Sequence, residues 1–259
     1  MKALFALALL AALDLTAATA QATDTRVTVR VLAHDAKLIG DVAGGCAITI
    51  RDAVTGRILA EGIQTGGTGS TDKIIREPWV RGEARLNTDG AAGFTTTLDI
   101  DHPTRVLIEA RGPLGFRTSE FSTSRTLLLP GHHVEGDGIV LELQGLIVNL
   151  QEPDPEDHLE PGSMIEIETG VKLLCTCPIN TGSLWAAADY RVVAELWENG
   201  SLLVSVPLAI TDRDNVFGGS LALPDVAEDE TRVLELRVNA ANNSISNFGS
   251  DSVVFRLSR

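Results

Sequence analysis

The chain has 259 residues and a formal net charge of −14, with 44% hydrophobic and 22% charged residues. This is the composition of a folded chain rather than a disordered one. A negative protein without a basic run suits nucleic acid poorly, because phosphate neutralisation dominates that affinity, so no nucleic-acid partner is expected.

Residues 1–20 read as a secretory signal peptide. Lys2 starts it, an apolar run follows, and Ala18-Thr19-Ala20 supplies a small-residue cleavage site. No later segment has the roughly 18–20 apolar residues of a spanning helix, so no membrane span is expected, and the location expected is periplasmic or extracellular. Three cysteines in an oxidising compartment leave at least one thiol unpaired within the chain.

Residues 24–150 read as short strands with period-two alternation. Val27/Val29/Val31, Ile48/Ile50, Phe94/Thr96/Leu98/Ile100 and Val106/Ile108/Ala110 each place apolar side chains on one face. Cys46 falls in register with Ile48 and Ile50 as a small buried hydrophobe. Gly44-Gly45, Thr55-Gly56, Asp89-Gly90 and Gly112-Pro113 supply the turns. The closing strand runs through Ile139, Leu141 and Leu143, then changes register to Leu146, Val148 and Leu150, for which a bulge at Gly145 would account.

The stretches Gly44-Gly45-Cys46-Ala47-Ile48-Thr49-Ile50-Arg51-Asp52, Thr55-Gly56-Arg57-Ile58 and Thr88-Asp89-Gly90-Ala91-Ala92-Gly93-Phe94 carry a resemblance. This half is similar to the carboxypeptidase regulatory-like family of transthyretin-type β-sandwiches. The resemblance implies a non-catalytic module, with the turn at Asp89 delivering Phe94 into the core. One extra residue between Asp89 and Phe94, and a long Gly/Thr-rich loop at residues 62–82, depart from the family pattern.

Residues 151–162 hold three prolines and five carboxylates without a base, the composition of an extended acidic linker. Residues 163–259 again read as strands. The strand at Tyr190/Val192/Ala194/Leu196 meets Asn199-Gly200, a strong hairpin signal, and returns through Leu202/Val204/Val206. Leu234/Leu236/Val238 and Val253/Phe255/Leu257 add two strands, and the ending looks like the last hairpin of a bacterial Ig-like domain. The fold class expected is therefore all-β, two β-sandwich domains in tandem, at residues 24–150 and 163–259.

The densest chemistry lies at residues 171–178, Val-Lys-Leu-Leu-Cys-Thr-Cys-Pro. Read as one strand held extended by Pro178, it puts Val171, Leu173, Cys175 and Cys177 on one face. The Cα atoms of the two cysteines would then stand about 6.5–7 Å apart, at the upper limit for a disulfide. Three readings stay open: buried structural thiols, a disulfide from Cys46 to Cys175 or Cys177, or a pair of thiolates converging on Cu or Zn, helped by Cys46 or by His132 and His133. No other cofactor is implied. The G-x-S-x-G elbow, H-E-x-x-H and the P-loop are all absent, so an enzyme is not expected. The function expected is an exported recognition or scaffold protein with a protein or cell-surface partner, the alternative being periplasmic metal handling through Cys175 and Cys177.

Overall fold

A computed structural model describes residues 22–117, 120–154 and 157–259. The signal-peptide reading of residues 1–20 lies outside them.

The first half contains seven strands: β1 (Thr23–Ala33), β2 (Cys46–Asp52), β3 (Ile58–Gln64), β4 (Phe94–Ile100), β5 (Thr104–Gly112), β6 (Glu120–Leu128) and β7 (Val134–Leu143). They form two sheets, ordered β4-β1-β7 and β3-β2-β5-β6, with β1 and β7 running parallel. Alternation decides what faces inward. Val27, Val29 and Val31 of one sheet share a buried core with Ile48, Ile50, Val106 and Ile108 of the other, and Cys46 lies in it. Gln64 joins the sheets through hydrogen bonds. Its carboxamide accepts from the Val31 N–H at 2.7 Å and donates to the carbonyls of Val31 and Ile39 at 3.0 and 2.8 Å. A fully buried amide survives there because each polar atom has a partner.

Phe94 is half-buried rather than central, its ring lying over Gly62, where a Cβ would come within 2.3 Å of it. The long Gly/Thr-rich loop contains a π-helical turn, Asp72–Arg76, and the segment that leads from it to β4 is pinned by two buried or half-buried ionic groups. Arg30 donates to the carbonyls of Ala91 and Ala92 and to Asn87 Oδ1. Asp137 accepts the backbone N–H groups of Arg85, Leu86 and Asn87, each at 2.7 Å.

The second half comprises β8 (Leu146–Glu152), β9 (Met164–Leu173), β10 (Ile179–Asn180), β11 (Trp185–Ala186), β12 (Arg191–Glu198), β13 (Ser201–Ile210), β14 (Val216–Ala222), β15 (Thr231–Asn242) and β16 (Asn247–Ser258). Seven of these make one sheet, ordered β16-β15-β12-β13-β14-β9-β8. The sheet turns over between β13 and β14, which pair at only Ala209↔Gly218 and Ile210↔Phe217. Beyond that fold the β14-β9-β8 flap covers the β16-β15-β12-β13 layer, with Ile165, Ile167, Phe217 and Val148 buried against Val192, Leu196, Leu236 and Val238. The layers touch backbone to backbone where a Cβ on Gly249 would meet the Leu146 carbonyl oxygen at 2.4 Å.

This pairing corrects the expected boundaries. β8, assigned from the sequence to the end of the first domain at residue 150, is hydrogen-bonded along β9 in the second sheet. The strand pairing changes hands at Gln144 and Gly145, where Gly145 has φ +142°, a conformation closed to most side chains. Asn247 accepts the Gly145 N–H at 2.5 Å and fixes this corner to the second sandwich. The segment at residues 151–162 is accordingly no interdomain linker. Residues 151 and 152 end β8, and the chain then loops back to β9 within the same sheet. The prolines and carboxylates of this segment suit a solvated hairpin loop as well as they suit a spacer, so composition could not separate the two.

Candidate functional site

The most concentrated chemistry lies at the seam between the two sandwiches. From the first half comes the tight turn after β1, where the Ala33 N–H donates to the Lys37 carbonyl at 2.9 Å and Asp35 takes a positive φ of 51°. From the second half come the turn after β9 and the short β10–β11 ladder.

The expected strand through Cys177 is not formed. β9 ends at Leu173, and the Thr176 N–H donates back to the Leu173 carbonyl at 2.8 Å. Thr176 adopts φ 62°, left-handed backbone that is rare for a β-branched residue. Both Leu173 and Leu174 are wholly buried. A straight strand would have sent consecutive side chains to opposite faces. Beyond the turn the chain is held at Ile179, whose N–H donates to Asn215 Oδ1 at 2.7 Å and whose carbonyl accepts the Asn215 N–H at 2.8 Å.

The turn brings together the two thiols that the strand would have kept apart. Cys175 and Cys177 are 1% and 6% exposed. The Cys177 thiol hydrogen-bonds to Cys175, and the Lys37 backbone N–H points to the same sulfur. Burial pushes the Cys175 thiol up, but those hydrogen bonds, aided by the Lys37 charge, bring it below the ordinary thiol range. Cys177 moves the other way: its hydrogen bond to Cys175 raises it first, then burial and the Cys175 charge. Of the two, Cys175 is therefore the sulfur that loses its proton more easily.

Around the pair stand groups that the sequence reading did not single out. The Trp185 indole N–H donates to the Asp35 carbonyl at 2.9 Å. His34 reaches Glu142 at 2.5 Å through Nδ1 and the Ile245 carbonyl at 2.9 Å through Nε2, spanning the seam. Lys172 places its ammonium 5.7 Å from the centre of the Phe116 ring. Tyr190 is buried close to Asp35 and Cys175, and burial raises its phenol to about 12. Asn242 lies beside that hydroxyl without reaching full hydrogen-bond geometry. Only the Asp-Ala-Lys turn composition and the Trp on a short apolar run hinted at these contacts, because residues 34–37 and 172–190 are far apart in the chain.

The other candidate ligands lie elsewhere. Cys46 sits in the first core beside Gly112, its thiol raised to about 12 by burial, without a donor to hold a thiolate. His132 and His133 are exposed on the loop before β7, where His133 Nδ1 accepts the Arg26 N–H at 3.1 Å. Among the described residues no three His, Cys, Asp or Glu side chains gather closely enough to hold a metal. The thiol pair alone offers two donors, short of the four of a closed structural zinc site.

Two tryptophans lie away from the seam. Trp197 is half-buried under the Arg237 guanidinium, 4.8 Å from its ring centre. Trp79 is 76% exposed on the loop that follows the π-helical turn.

The sequence matches no known family and no curated protein. Among solved structures, the chain is similar to the major pilin subunit BcpA of Bacillus cereus, at 9% identity and TM-score 0.34, over 91% of this chain and 69% of that one. It is also similar to titin Ig tandem domains A164–A165, at 10% identity and TM-score 0.23, over 92% and 97%. For the four N-terminal Ig domains of Dscam1 the values are 12% and 0.20, over 92% and 53%. These likenesses are too distant to carry an argument, and the β-sandwich assignment rests on the strand pairing described above. No described helix is long and apolar enough to cross a membrane.

Proposed function

We infer that the chain is an exported, non-catalytic scaffold or recognition protein whose two β-sandwiches act as one rigid unit. The observation that supports this most is the seam. Trp185, His34 and Lys172 each bond or stack across it, and the buried core continues from one sandwich into the other. A chain that spends its polar chemistry on fixing two sheets relative to each other suits the presentation of surfaces at constant spacing. The first sandwich is proposed to be of carboxypeptidase regulatory-like type, a reading supported by the turn at Asp89 and Gly90 that precedes β4. Export is supported by the leader-like residues 1–20.

The test is expression of the full chain in a bacterial host, followed by fractionation and mass analysis of its N-terminus. The expected product begins at Gln21 outside the cytoplasm and crosslinks to a discrete protein in intact cells through a photoreactive residue replacing Trp79. An unprocessed cytoplasmic product removes the export reading. Turnover of ester, peptide or glycoside substrates by the purified chain removes the non-catalytic one.

A further inference from the structure

We propose that Cys175 and Cys177 are a hydroperoxide-oxidisable dithiol, with Cys175 the sulfur that is attacked and Cys177 the one that closes the disulfide. The proposal rests on how the chain is bent. Extended backbone would hold the two Cα atoms at about 6.5–7 Å, at the edge of disulfide geometry. The turn closed by the Thr176 N–H and the Leu173 carbonyl, with Thr176 left-handed, instead leaves both cysteines buried at the seam, with Cys177 close enough to act on the Cys175 sulfur. A nucleophilic sulfur needs a stabilised thiolate, and the Lys37 N–H together with its ammonium supplies it. That ammonium is itself held beside the seam by Thr71 Oγ1 at 3.0 Å and the Gly69 carbonyl at 3.3 Å. The charged and titratable groups that face the pair are thus Lys37 from the first half and Tyr190 from the second.

Burial selects the oxidant. With Cys175 and Cys177 only 1% and 6% exposed, a bulky disulfide is shut out, and a small hydroperoxide is the oxidant that a local opening of the turn would admit first. The Cys175 thiolate attacks one peroxide oxygen, the O–O bond breaks, and the departing alkoxide or hydroxide takes a proton to leave as alcohol or water. Cys175 is then a sulfenic acid. The Cys177 thiol gives up its proton and attacks the Cys175 sulfur. The S–O bond breaks and hydroxide leaves as water. Two thiols have lost two protons and two electrons, and the hydroperoxide has accepted them. Cys46 lacks both the partner thiol and the cationic donor, so it serves as an internal control in the same molecule.

The experiment treats the reduced, folded chain with hydrogen peroxide and maps its peptides without reduction. The expected result is a Cys175–Cys177 disulfide, reversed by dithiothreitol once the chain is unfolded, while Cys46 stays reduced. In Cys177→Ser the reaction should stop at a sulfenic acid on Cys175 that dimedone traps when the chain is unfolded in its presence. In Cys175→Ser, Cys177 should stay unmodified. Lys37→Met keeps the backbone N–H but removes the charge, and should slow sulfenic acid formation several-fold. Oxidation of Cys46 at the same rate as the pair would overturn the proposal. So would a pair that remains reduced in the wild-type chain, a measurement that does not depend on any variant folding, or dimedone trapping on Cys177 instead of Cys175.

Discussion

The Trp185 indole N–H meets the Asp35 carbonyl oxygen at 2.9 Å across the seam, 150 residues apart in the chain. Asp35 can offer that carbonyl because its positive φ turns the backbone outward at the end of β1. Trp185→Phe keeps most of the ring but strands the carbonyl. It should cost about 0.5–1.5 kcal/mol, the net worth of one hydrogen bond. Trp185→Ala should cost about 3–5 kcal/mol through lost burial. Calorimetry reads both, and the wild type should melt in a single transition that splits in two in the alanine variant. A wild type that already melts in two separate steps would show that the seam does not couple the sandwiches.

Gly249 is where β16 passes over β8. Because an added methyl would meet a backbone oxygen rather than a flexible side chain, relief requires the two layers to part. Gly249→Ala should lower stability by about 1–3 kcal/mol, as overpacking of a close contact does. A urea midpoint equal to that of the wild type would mean that the layers lie further apart than described.

Phe94 is packed over Gly62 but half open to solvent. Phe94→Ala should cost less than the loss of a central ring, about 1–3 kcal/mol against the 3–5 kcal/mol of full burial. Denaturant unfolding decides it, and a cost above about 4 kcal/mol would place the ring at the centre of the core.

Asp137 links pH to the segment between the long loop and β4. Burial opposes its ionisation, but the N–H groups of Arg85, Asn87 and Leu86, with the Arg30 charge, outweigh that and hold it below the usual carboxylate range. A depressed folded pKa stabilises the fold above the unfolded value of about 3.9, and that stability is lost as pH falls through the folded pKa. Amide exchange at Leu86 and Asn87 should therefore quicken below about pH 4. Asp137→Asn should exchange faster at neutral pH and show little further change on acidification. A wild-type loop whose protection is flat with pH would exclude Asp137 as the pin.

Proteolysis distinguishes a spacer from a hairpin loop. Cleavage within residues 157–162 should yield two fragments that co-elute on size exclusion, because β8 on one fragment remains paired with β9 on the other. Separation of the fragments without denaturant would restore the segment to the role of an interdomain spacer.

Strands were legible wherever one face is buried. The alternations at Val27/Val29/Val31, Ile48/Ile50, Val192/Ala194/Leu196 and Leu234/Leu236/Val238 all lie in the core, and Asn199-Gly200 is the hairpin turn expected, with positive φ at both residues. The two misreadings share a cause. Leu146/Val148/Leu150 has the same period whichever sheet it joins, and partner choice leaves no trace in periodicity. Residues 171–177 kept apolar alternation beyond the end of β9, since Cys175 and Cys177 are buried by the seam rather than by a sheet face. The seam itself depends on pairs such as His34 with Ile245 and Lys37 with Cys175, which no local pattern connects.

Between the end of β7 and the start of β8 stand only Gln144 and Gly145. Two residues give the backbone about 7 Å of reach, too little for a swivel. Because β7 lies alongside β1 while β8 lies alongside β9, tension applied to either sandwich passes straight into the ladder of the other. Extending the molecule would therefore mean peeling a paired strand from its neighbour, so a pull on one sandwich is resisted by the hydrogen-bond ladder of the other.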